Sequence, residues 1–253
     1  MAAGRTMLNL DTEDWGEIFI GCAGGGDSLL TLPLEQEPCS FAGQQPLQLN
    51  ITGLMGGHSG LTIGGGRGNA ILMAVQVLQA ILGKLEEARL IRKSGGDKRN
   101  ALARECRATL TLLKLLQQLP HGTIKYSEAV PGLAETSSNL AAVSPAASSC
   151  SSHIYYQIIC STRSSIGSEL EKVRAQIAAA AQEAGANTKQ DEAYPGWNPD
   201  PSSKVLQVVK QVFVVEILGK EPKVNILTME PFWNATLEVL KRLAGCQMLS
   251  SCT

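Results

Sequence analysis

Hydrophobic positions change period several times along this chain, and the changes divide it into elements. Leu47, Leu49 and Ile51 alternate with Gln48, Asn50 and Thr52, the period-two pattern of a half-buried strand. Ile71, Leu72, Val75, Leu78, Ile81 and Leu82 then recur at helical spacing, so an amphipathic helix is predicted to follow. Between the two lies GLMGGHSGLTIGGGRGN, Gly53–Asn69, with a single histidine, His58. Glycines let a backbone take positive φ and let a ligand or another backbone approach closely. Phosphate-binding readings of this stretch fail on spacing. Gly64, Gly66 and Gly68 are not followed by the third glycine of a dinucleotide loop, and no Gly-Lys-Ser/Thr occurs.

Upstream, Met7–Leu10 is a short apolar run ending at Asp11, a carboxylate where strand ends of α/β sheets carry ligand and metal sites. Glu13, Asp14 and Glu17 read as a solvated acidic turn, EIFIGCA as a second strand, and Gly24-Gly25-Gly26 as a flexible exit. Downstream of the first helix, SGGD at Ser94–Asp97 predicts a turn, and Leu110, Leu112, Leu113, Leu115, Leu116 and Leu119 predict a second helix ending at Pro120. Leu140–Val143 and Ile154–Cys160 are β-rich and separated by a Ser/Ala/Pro loop, a hairpin pattern. A helix is expected over Glu169–Ala184, capped by Ser165 or Ser168 and stopped by Gly185. The order β-α-(helix)-β-β-α from Leu47 to Ala184 predicts an α+β sandwich, helices on one face of an antiparallel sheet. From Gln190 the texture changes to a proline-rich linker, an amphipathic helix stopped at Gly219, a short strand VNIL and a last helix.

Composition narrows the function classes. With 253 residues, 44% hydrophobic and 18% charged, the chain is long enough for one large domain or two small ones. The 22 basic and 23 acidic residues balance, and aromatics are 4%, which argues against a nucleic-acid partner or base-stacking surface. No run approaches the roughly 20 apolar residues of a membrane span, and the N-terminus lacks a signal-peptide core. Seven cysteines without CxxC spacing read as reduced thiols of a cytoplasmic protein, neither a zinc cluster nor a disulfide framework.

Six segments in order, LNLDTEDWGEIFIGCAGG, ITGLMGGHSG, GRGNA, ETSSNLA, TRSS and AYPGWNPDPSS, resemble the aminoacyl-histidine dipeptidases, cytosolic zinc enzymes that cleave X-His dipeptides. The resemblance implies a zinc-binding α/β catalytic domain interrupted by a ferredoxin-like α+β lid that also dimerises. Domains are then expected at 1–26 (catalytic piece), 27–190 (lid and dimerisation) and 191–253 (catalytic piece with a divergent end). It further implies that Asp11 ligates one ion of a two-zinc site, that His58 stabilises the oxyanion from the partner subunit, and that Arg163 pairs with the substrate's terminal carboxylate. Asn139 is expected in the same polar cradle, with a dipeptide as substrate and a homodimer as the assembly.

The sequence also departs from that pattern. The His-x-Asp pair, the bridging Asp and the Glu-Glu pair of the family are absent, as are the late His-Ala-Gly-Leu-Glu-Cys-Gly stretch and final His. His121, after Pro120, and His153, in a serine-rich hairpin, read as structural or solvated. Asp11 alone does not make a zinc site. A chain incomplete at both ends, inactive alone and binding no zinc tightly, is expected. The alternative is a dimerisation module that pairs with a full-length subunit.

Overall fold

The computed structural model describes residues 16–35, 49–84, 94–95, 106–107, 112–146, 153–212, 214, 219 and 221–227. Its centre is the expected hairpin, longer than its apolar cores: β6 (Ala134–Ala146) and β7 (His153–Ser164) pair antiparallel over nearly their whole length. The other described strands, in chain order, are β1 (Glu17–Cys22), β2 (Gly24–Glu35), β3 (Ser94–Gly95), β4 (Cys106–Arg107), β5 (Gly122–Tyr126), β8 (Asn187–Gln190) and β9 (Lys223–Leu227). The main sheet is antiparallel, in the order β4-β3-β6-β7-β2-β8, with β5 on the β6 edge beside β3.

Helices α1 (Ala70–Leu82), α2 (Leu112–Gln118) and α3 (Gly167–Glu183) pack on one face, as the periodicity predicts for a sandwich. Ile71, Val75, Leu116 and Ile177 meet Leu30, Leu140 and Ile158 of the sheet in a single core. Each such fully buried aliphatic side chain contributes about 1.5–3 kcal/mol. A bulge between Leu140 and Ala142 shifts the phase of β6, so Leu140 and Val143 both face the helices although three residues apart. Gly185, at φ +75°, ends α3 in a Schellman turn, with Ala186 N–H on Ala181 C=O and Gly185 N–H on Gln182 C=O. The expected serine cap is not used. Ile166 holds the cap position without a side-chain bond, and Ser164 Oγ instead accepts the Ile166 N–H at 3.1 Å.

Three further expectations are corrected. Gly24–Gly26 is no flexible exit but the start of β2, where missing Cβ atoms admit other parts of the chain. The Leu47 alternation builds no strand over residues 49–52, and Leu47 and Gln48 lie outside the described residues. Leu49 and Ile51 still pack on the core, so their spacing reflects burial without a ladder, and Gly53 at φ +76° ends the extended path. Ser94–Gly95, expected in a turn, pairs as β3.

Outside the sandwich, β1 and β9 pair in parallel, with the Glu17 carboxylate taking Lys223 at 2.9 Å and Asn225. Glu17 is thus engaged rather than left in a solvated turn. The helix expected after the linker is α4 (Lys204–Val212), with Leu206 buried and Val208 and Val212 exposed.

Candidate functional site

The glycine-rich stretch folds as a tight loop leading into α1. Gly53, Gly56, Gly57 and Gly66 all have positive φ. Gly57, at φ +143°, is held by contact as well, because a Cβ there would lie 2.3 Å from Thr62 Oγ1 and 2.6 Å from Arg67 Nη1. Arg67 donates to Gly56 C=O at 2.7 Å and so staples the loop's two arms. His58 is half-buried in its middle. Its Nδ1 accepts the backbone N–H groups of Gly60 and Leu61, both at 3.1 Å. A neutral imidazole carries one N–H, so these bonds fix the tautomer with the proton on Nε2, which is a donor.

Asn69 ends the loop. Its Oδ1 accepts Ile71 N–H at 2.9 Å and caps α1, while its Nδ2 donates 2.8 Å to Leu140 C=O. His121 completes that strand position: its Nδ1 accepts the Leu140 N–H at 3.1 Å. Burial pushes the His121 imidazole down to about 4. His121 is therefore structural, as expected.

Arg163, near the end of β7, faces away from the helices and is only 4% exposed. Its partners in register are Gly25 on β2 and Ser137 on β6, and Ser137 pairs in turn with Thr123 on β5. The next row on that face is Asp27, Ser161 and Asn139. Arg163 and Asn139, both buried, thus share one face in adjacent rows. The His58 loop reaches the same row from the β5 side, because a Cβ on Gly64 would lie 3.3 Å from Thr123 Oγ1. With strands spaced by about 4.8 Å, Thr123 stands roughly 10 Å from Arg163. Glu169 and Glu171 pair with Lys172 and Arg174.

Arg163 Nη1 donates to the Tyr194 hydroxyl at 3.3 Å. Tyr194 comes from the segment after β8, which runs antiparallel to residues 22–25. Gly25 and Tyr194 exchange both backbone bonds (3.1 and 2.9 Å), and so do Cys22 and Trp197 (2.9 and 2.7 Å). Burial pushes the Cys22 thiol up, against the opposing pull of the Arg163 charge. Tyr194 lies inside the proline-rich linker, where nothing in the local pattern marks it as a partner of Arg163. The cap at Asn69 was missed, although an Asn immediately before an apolar-periodic run is its signal.

Asp11 lies outside the described residues. Among the described residues, no group of three or more His, Cys, Asp or Glu side chains could hold a metal ion. They do not fit the two-zinc site that the resemblance implies, and no step is routed through zinc. None of the described helices is long and apolar enough to cross a membrane.

The antiparallel sheet carrying helices on one face is shared with a peptidase of known structure. The chain is 30% identical to the cytosol non-specific dipeptidase of Escherichia coli (strain K12), over 87% of this chain and 54% of that protein. Its fold matches the aminoacylhistidine dipeptidase of Vibrio alginolyticus with a TM-score of 0.75 and 25% identity, over 87% of this chain and 54% of that one. The resemblance read from the six segments is borne out, and the chain spans about half the length of these relatives. No family model matches.

Proposed function

We propose that this chain is the lid portion, with adjoining pieces, of a cytosolic dipeptidase acting on X-His dipeptides. The observation that carries the reading is the fixed tautomer of His58, which offers an Nε2–H donor from the loop that reaches the Arg163 row. A donor so held suits a carbonyl oxygen that gains charge in the transition state. The Arg163 fork, with Asn139 in the adjacent row, suits the terminal carboxylate of a peptide. Domain limits at 1–26, 27–190 and 191–253 belong to this reading, as does zinc, held as a pair of ions with Asp11 as one ligand in the complete enzyme. The sequence lacks the family's His-x-Asp pair, bridging Asp, Glu-Glu pair and final His, so on this reading the chain alone is expected to leave X-His dipeptides uncleaved.

The test mixes this chain with a full-length dipeptidase whose own lid histidine has been replaced. Turnover restored by wild type and not by His58→Ala supports the reading. Equal turnover with both chains refutes the role of His58.

A second reading, a dimerisation module, is favoured by α1. Met73, Val77 and Ile81 recur every fourth residue and stay 40%, 40% and 38% exposed, an apolar stripe on the side turned from the core. Val77→Glu should leave the fold intact and convert a dimer, measured by light scattering, to monomer. A wild-type monomer would refute this reading.

A further inference from the structure

We propose that Tyr194 is a positioning residue for Arg163, holding the guanidinium in the orientation in which it meets a carboxylate. The proposal rests on the reading of Arg163 given above and extends it to a residue outside the sandwich.

The geometry is specific. A buried guanidinium at the end of a flexible side chain must be oriented by its neighbours, since water no longer averages its contacts. The Tyr194 hydroxyl accepts from Nη1, one corner of the fork, leaving the other donors to other groups. The ring reaches that corner because residue 25 is glycine. A Cβ there would lie 2.3 Å from the Tyr194 hydroxyl oxygen and 2.6 Å from the ring carbon that bears it. Gly25 is also the register partner of Arg163, so the notch and the guanidinium belong to one row of the sheet. The backbone of Tyr194 is pinned independently by its two bonds to Gly25. The attachment point of the ring is therefore held by main-chain pairing, whether or not the hydroxyl meets Arg163.

This arrangement ties the carboxylate reader to the paired segments that lead into and out of the sandwich. Tyr194→Phe removes one oxygen and keeps the ring in its notch, so the fold should persist while the guanidinium loses an anchor. Gly25→Ala keeps the hydroxyl and evicts the ring.

The experiment uses the full chain and two probes, glycyl-histidine and glycyl-histidinamide, which differ only in the terminal carboxylate. Binding is measured by calorimetry or by chemical-shift titration, with thermal melting alongside. Wild type should prefer the acid. Tyr194→Phe should reduce the acid-over-amide preference by about fivefold to tenfold with an unchanged melting midpoint, and Gly25→Ala should show the same loss of preference. A merely structural tyrosine would lower the midpoint and weaken both probes alike, and that outcome overturns the proposal. Full preference in Tyr194→Phe, with Arg163→Lys losing it, overturns the positioning role and leaves Arg163 as the carboxylate reader. If wild type shows no preference, or Arg163→Lys retains it, the carboxylate reading fails and the proposal with it.

Discussion

Asn69 and Leu140 stand 71 residues apart in sequence and 2.8 Å apart in the fold, joined by a side-chain amide on a strand carbonyl. β5 pairs with β6 only as far as Ser138, and β3 meets β6 at Val143, which leaves Leu140 between them on that edge. Asn69 takes its C=O and His121 its N–H, so two side chains stand in for a missing length of strand.

Asn69→Ala is expected to destabilise the protein by about 2–3 kcal/mol, the sum of a lost N-cap and a buried carbonyl left without a donor. Asn69→Ser keeps a capping oxygen and loses the strand contact, so it should fall between wild type and alanine. Urea melts of the three proteins check this. Equal stability of Asn69→Ala and wild type would remove the tie from the account.

Stability should also depend on pH through His121. Burial holds its folded-state pKa at about 4, below the ordinary 6.5, so the unfolded chain binds the proton first as pH falls. The contribution is fully present above about pH 6.5 and is lost progressively as pH drops toward 4, reaching about 3 kcal/mol. Glu17 and Glu169, held below the usual carboxylate range chiefly by bonds from Lys223 and Lys172, lose their contribution as pH falls through about 4.5, so the comparison is made between pH 5 and 7. His121→Leu should be less stable at pH 7.5 and nearly flat between pH 5 and 7. A slope in the variant as steep as in wild type would exclude His121 as its source.

The glycines of the His58 loop should differ in their tolerance. Gly53→Ala meets no atom within 4 Å and incurs only the positive-φ cost, about 1 kcal/mol. Gly57→Ala must also displace Thr62 and Arg67, so its cost should exceed that of Gly53→Ala, with faster amide exchange at Gly60 and Leu61. Melting curves and hydrogen exchange distinguish the two. Equal effects would show that backbone conformation alone selects glycine there.

Cys160 offers a probe of global opening. It is fully buried on the core face of β7, and burial pushes its thiol up to about 12, with Asp27 adding to the rise. Cys22 is buried too. Alkylation followed site by site in native buffer should spare both, and their labelling rates should rise with urea along the unfolding curve. Rapid native labelling of Cys160 would contradict its burial.

The sandwich was legible because its elements announce themselves locally. The Ile71–Leu82 helix, the Leu112–Leu119 helix and the Ile154–Cys160 strand each carry a period that burial imposes. Reading failed where a residue's partner is remote. Gly24–Gly26 looks like a flexible exit until Tyr194, Gly196 and Arg174 are seen filling the space where its Cβ atoms would be. Leu47–Thr52 alternates like a strand, yet Leu49 and Ile51 pack on the core without building one. His58 and Arg163 stood out by motif alone. The row linking the His58 loop to Arg163, through Thr123 and Ser137, exists only once strand register is known.

The paired segments at Cys22–Gly25 and Tyr194–Trp197 have a consequence for how such a chain can be assembled. The polypeptide enters and leaves the sandwich through one doorway, its two jambs hydrogen-bonded to each other. A unit whose ends already touch can be set into a surface loop of a host without stretching the host or closing a long gap. The sandwich is in that sense portable cargo. Joining Cys22 to Trp197 by a short bridge and opening the chain at an exposed loop should yield a circular permutant that keeps its core.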